Sequence, residues 1–202
     1  MKKAFLPIIL LLVFSFDIQE KGLSTDDRKM ATAYLEDTRD HMQNVLKGLS
    51  KTQLNFQPYE ESWTIAQCVE HLAIAENTFG EMMKGTLAAG PNETMRDSLA
   101  MADEQLYMMI SSREKKVKTP EPFEPSGKFG NHEETLTAFL NKRNAHISYT
   151  QNTTDDLRNH FNSNLPFGTI DGVQLLLFMA GHTERHVMQM EEIKTHKLFP
   201  KK

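Results

Sequence analysis

The residues best suited to chemistry in this sequence are two histidines in the stretch Gly181-His182-Thr183-Glu184-Arg185-His186-Val187-Met188-Gln189. A four-residue step advances an α-helix by about 6 Å and returns to nearly the same azimuth, so two imidazoles at this spacing can converge on one ion. The surrounding run, Asp171 to Thr195, holds no Pro and two Gly. Its residues Leu175, Met179, His182, His186, Gln189 and Ile193 recur at three- and four-residue steps, which predicts one inward helical face carrying both histidines. A pair alone does not define a metal site, because histidines at this spacing also occur in helical cores. Zinc-type chemistry needs three protein ligands and an open position, so the question becomes which other side chain reaches this face.

The best-placed third residue is His71. Thr64 and Gln67 form a capping-box pair that predicts a helix starting just after Trp63, the chain's only tryptophan. From there Ile65, Cys68, Leu72, Ala75, Phe79 and Met82 trace a buried stripe, and His71 lies at its edge. Trp63 itself suits a hydrophobic staple at the helix entry. Cys68 is the only cysteine, which excludes an intramolecular disulfide and a thiolate-rich cluster. It reads as a small buried apolar residue, yet it sits one turn before His71 and is the nearest challenger for a fourth ligand. Glu76, five residues beyond His71, is turned about 140° away.

The remaining elements follow from helical spacing. Ser24 to Asp27 offers a cap and an acidic first turn for a helix from about Asp26 to Lys47, ended by Gly48. His41 flanks the apolar stripe of that helix as a surface or boundary residue. Gly90-Pro91 ends the helix that begins after Trp63, and a Met-rich helix capped at Asn92 or Thr94 is expected to run to about Lys115. Three prolines between Lys118 and Gly127 predict an extended surface crossover. Asn131 begins a helix reaching about Gln151. A short amphipathic piece, Asp155 to Phe161, and a turn then lead to Thr169 as the cap of the histidine-bearing helix. No stretch alternates as a strand should. The class is all-α: an up-down four-helix bundle with an extra helical segment in the crossover.

Composition narrows the functions. The chain has 202 residues, a formal charge of −4 and 39% hydrophobic residues, enough for one globular domain with a core. Lys and Arg (23) are outnumbered by Asp and Glu (27) and form no long basic run, which argues against a nucleic-acid partner. Lys2 and Lys3 precede an apolar run, Ala4 to Phe16, suited in length to a signal peptide. Residues 1–22 are therefore expected to be a signal peptide or N-terminal apolar segment. Export to the periplasm or outside the cell follows if they direct it, and a cytoplasmic location otherwise.

Trp63-Thr64 with Glu70-His71-Leu72 on one helix and His182-x-x-Arg185-His186-x-x-Gln189 on the last resemble the DinB-like superfamily of metal-binding four-helix bundles, above all its subgroup of metal-dependent hydrolases. The likeness extends from Asp26 to Ile193 and includes Gly48-Leu49-Ser50, Leu54-Asn55-Phe56, the proline-rich crossover and the Phe139 to Arg143 segment. Thr64 stands where the family usually has Ser, which keeps a hydroxyl cap. The resemblance implies a bundle domain over residues 23–198 and one divalent ion held by His71, His182 and His186. Zinc is the first expectation, with nickel, iron or manganese as alternatives. It implies a hydrolase whose metal activates water, acting on a small molecule of unidentified class. A metal-dependent thiol transferase and a non-catalytic, stress-linked metal-binding protein remain open, as does a homodimer.

Overall fold

The computed structural model describes residues 22–201, so the expected signal segment lies outside the described residues. Four long helices carry the fold: α1 (Thr25–Leu46), α3 (Ile65–Ala88), α5 (His132–Asn152) and α6 (Gly172–Lys194), with α2 (Lys51–Leu54) and α4 (Asp103–Ser111) in the connections. The caps are the residues that the sequence singles out. Gln67 N–H donates to Thr64 Oγ1 while Thr64 N–H donates to Gln67 Oε1, at 3.2 and 2.9 Å. Ser24 caps α1, and Asn131 caps α5 through the amides of Glu133 and Glu134. Gly48, with φ of +71°, supplies the left-handed residue just past α1.

The expected four-helix bundle forms. Each of α1 and α3 packs against both α5 and α6, so α1 and α3 occupy opposite corners. Helix directions follow from cross-helix bonds. Arg28 reaches the Thr150 carbonyl and Arg39 reaches Asn144, which makes α1 and α5 antiparallel. His41 meets Glu184 and Lys194 meets the Val45 carbonyl, which makes α1 and α6 parallel. Alternation thus holds from α1 to α3 and from α5 to α6, but not across the crossover. The long segment between α3 and α5 returns the chain to the end where α3 began, so these two neighbours run the same way.

Three local departures have physical causes. The Met-rich helix is divided into a 3-10 turn, Glu93–Ser98, and α4. Between them Ala100 N–H donates to the Thr169 carbonyl, a long-range bond that takes the chain out of helical geometry. The cap of α6 is Asp171 rather than Thr169, because Ile170 and Asp171 pair with Phe161 and Asn162 in a two-residue antiparallel ribbon (β1, Phe161–Asn162; β2, Ile170–Asp171). That ribbon also ends the short amphipathic segment, which forms only a 3-10 turn, Leu157–Asn159. The extra helix α4 lies against α6 on the outside of the bundle and walls one side of the cleft described next.

The apolar interior falls into two clusters. One, around Leu35, Phe79, Leu106, Leu157 and Leu175, fills the half of the bundle next to the ribbon. The other, around Met42, Ile65, Leu72, Phe139 and Met190, fills the opposite half. Between them lies a polar layer containing Thr38, Glu76, Arg143 and Thr183, one from each long helix and all buried.

Candidate metal centre

Helices α3 and α6 are antiparallel neighbours, and this brings His71 level with His182 and His186. One ring nitrogen from each of the three lies within 4.8 Å of the others, and no fourth His, Cys, Asp or Glu joins the group among the described residues. His71 Nε2 and His182 Nε2 are 3.0 Å apart. Nitrogens bound to a tetrahedral ion at about 2.0–2.1 Å are roughly 3.3 Å apart, so this pair already stands at coordination spacing.

Each ring is held differently. His71 Nδ1–H donates to the Phe123 carbonyl at 2.8 Å, which fixes the tautomer and leaves Nε2 as a lone pair. His186 Nδ1–H donates to Gln189 Oε1 at 2.9 Å, one turn on, with the same result. His182 has no such partner, since its buried Nδ1 is without a hydrogen bond. Aromatic rings position it instead, with Phe79 at 5.6 Å and Phe178 at 6.3 Å between centroids, both edge-on. Trp63 closes the other side, 4.9 Å from His71 and stacked on His186 at 5.9 Å.

Protons and acceptors do not balance in this trio. If His182 places its proton on Nε2, its Nδ1 is a bare buried acceptor. If it keeps the proton on Nδ1, a buried donor has no acceptor and two lone pairs face each other at 3.0 Å. A cation shared by the three nitrogens takes up the converging lone pairs, so the residues fit a divalent ion. The electrostatics agree. Burial lowers the pKa of His71 against the opposing bond to Phe123, and burial with the neighbouring histidines lowers His182 and His186 well below the ordinary value. Neutral imidazoles are the form that coordinates.

The crossover secures the site from outside. Glu70 Oε1 accepts the Ser126 and Lys128 amides at 3.0 and 2.8 Å, pinning the segment whose Phe123 carbonyl holds the next residue, His71. Cys68 does not close the site. It is fully buried in the apolar cluster with Val69 and Phe139, and burial pushes its thiol up to about 12. Glu76 faces away from the trio and bonds to Arg143 and His146. The three histidines line a cleft of about 1670 Å³ between α3, α4, α6 and the crossover.

Fold and site together define a class: four-helix bundles with a three-histidine group that could hold a metal ion. The chain belongs to the DinB superfamily, whose model matches residues 34–190. It is 29% identical over 157 residues to YuaE of Bacillus subtilis (strain 168), an uncharacterised protein, covering 75% of this chain and 89% of that one. Its fold is similar to that of YfiT from Bacillus subtilis, described as a probable metal-dependent hydrolase with an unusual four-helix bundle topology. The TM-score is 0.54 at 12% identity, over 86% of this chain and 89% of that chain.

Sequence reasoning did not reach two features. Trp63 is half-buried and packs directly on two of the histidine rings, beyond its expected role at the helix entry. The Glu70 clamp joins residues 56 and 58 positions apart, and the signal for it in the sequence was only the place of Glu70 in the Glu70-His71-Leu72 motif.

Proposed function

We propose that this protein is a divalent-metal-dependent hydrolase, with zinc as the ion and His71, His182 and His186 as its ligands. The observation that carries this reading is a group of three neutral imidazoles facing an open cleft, with no fourth protein ligand among the described residues. Structural zinc is normally closed by four protein ligands, whereas three leave a position for water or substrate. Bound there, such an ion supplies a Lewis acid and lowers the pKa of a water to about 7. The chain's own part is to hold the three lone pairs in register through Phe123, Gln189 and the flanking aromatics. Trp63, Phe79 and Phe178 also limit water around the rings. The reading includes export through residues 1–22, which sequencing the mature N-terminus of the native protein tests.

The cobalt-substituted protein gives the direct test. Its visible spectrum is expected to shift when azide is added, because an open position accepts an anion. His182→Ala is expected to lose stoichiometric metal while its circular dichroism stays helical. A four-coordinate spectrum indifferent to azide would overturn the reading and favour the non-catalytic metal-binding alternative.

A further inference from the structure

The cleft is not uniform. Its charged lining residues come from positions 61, 113–116, 118, 124, 185 and 192. Another part of its lining, called the arm below, is formed by Phe79, Met82, Ile110, Leu165, Phe167 and Phe178, with Thr78 beside Phe79. These six come from α3, α4, the turn after β1 and α6, and none is charged. Phe79 is buried, while the other five are only partly buried although they pack against the apolar cluster beneath them. The arm starts at the candidate metal centre. Phe178 is one turn before His182 on α6, Phe79 lies edge-on to Phe178 at 4.9 Å, and Phe178 lies edge-on to Phe167 at 5.4 Å. A continuous apolar wall therefore leads from the His182 ring outward.

We propose that this arm is an acyl or aryl pocket, so that the site takes esters or amides of a hydrophobic carboxylic acid. This rests on the metal-centre reading above and names the substrate class for it. With the chain in the arm, the carbonyl carbon falls beside the three histidines. Water adds to that carbon, the C–O or C–N bond breaks, and a water proton leaves with the alcohol or amine. The carboxylic acid product keeps the chain. The apolar wall favours an uncharged chain because a charge placed there meets no charged side chain among these six residues. Each methylene that enters the arm gains affinity of up to about four-fold.

Straight-chain hydroxamates from acetohydroxamate to octanohydroxamate test this on the zinc-loaded protein, with Trp63, the only tryptophan, as the fluorescent reporter. The head group takes the open metal position and the tail samples the arm. Affinity is expected to rise two- to four-fold per methylene over the first several members and then level off. Phe167→Ser and Met82→Asn are each expected to flatten that slope, and either suffices should the other fail to fold. If acetohydroxamate binds and longer chains bind no better, the pocket is wrong and the metal reading stands. If no hydroxamate binds protein shown to contain zinc, the open metal position is wrong and the substrate class falls with it.

Discussion

Two polar groups are buried at nearly the same level of this bundle, and they are built on opposite terms. In the layer around Arg143, every donor has an acceptor. The guanidinium is fully buried and bonds Glu76, Thr38, Thr183 and the carbonyls of Leu35 and Met179, which ties all four long helices together. His146 Nδ1 meets Glu76 Oε2, which also accepts from Arg143 Nε, at 2.8 Å. One residue along from Thr183, the histidine trio begins, and there lone pairs converge with too few protons. Burial of polar groups does not by itself mark a functional site, because the Arg143 layer is as buried as the trio. The mark is a shared deficit. Satisfied groups hold a structure together, and groups left short in one place await something from outside.

The sharpest way to break this contrast is to remove the cation from the satisfied layer. Arg143→Leu leaves Glu76 buried with only His146 as a partner, and is expected to cost about 3–5 kcal/mol in urea unfolding. The double variant Glu76→Leu/Arg143→Leu is expected to recover much of that loss, because the uncompensated charge goes too. Acid should strike the same layer. Burial raises the Glu76 pKa, but the charge of Arg143 and the bonds from His146 and Arg143 outweigh it and hold the carboxyl below its ordinary value. Its stabilisation is therefore complete above the unfolded value of about 4.3 and is lost as pH falls through the lower folded value. If Arg143→Leu unfolds at the wild-type urea midpoint, the layer is not what fastens the helices.

A smaller effect is expected where the crossover meets the unsatisfied group. Glu70→Ala frees the Ser126 and Lys128 amides and loosens the Phe123 carbonyl from His71, so metal affinity is expected to fall about 10- to 100-fold. Glu70→Gln keeps a carbonyl acceptor in place and should retain most of the affinity. Titrating metal into each apo variant under Trp63 fluorescence reads both. Wild-type affinity in Glu70→Ala would mean the clamp does not position His71.

Much of this contrast was legible in the sequence, and what was not has a common cause. Helical spacing exposed His182 and His186, and the Thr64–Gln67 box fixed the phase of α3 and with it the face of His71, because these depend on residues three or four apart. The split of the Met-rich helix, the Asp171 cap and the Glu70 clamp depend on bonds between distant segments. The Ala100 to Thr169 bond is an example, and no local pattern encodes it. Strands two residues long show no alternation to read. The direction of α5 likewise depends on the length of the crossover rather than on any residue in the helix.

A third polar group, at the surface, sharpens the comparison from the weak side. Spacing marks His41 as a surface or boundary residue of α1, and its Nδ1 lies 3.1 Å from the Glu184 carboxylate while its Nε2 lies 3.3 Å from Glu191. Burial lowers its pKa, but the two carboxylates on α6 outweigh that and raise it above the ordinary value. The folded pKa thus exceeds the unfolded one, so the pair's stabilisation is complete below about pH 6.5 and is lost as pH rises through the folded value. Side-chain exposure of 36% for His41 and 48% for Glu191 means that water and salt screen the interaction, which limits it to about 0.5 kcal/mol or less. The midpoint lost on His41→Gln should therefore be slightly larger at pH 6 than at pH 8, and 1 M NaCl should remove most of that difference. A pH dependence unchanged in His41→Gln would show that this contact adds nothing. Bonding geometry alone, without burial, would then be too weak to hold α1 against α6.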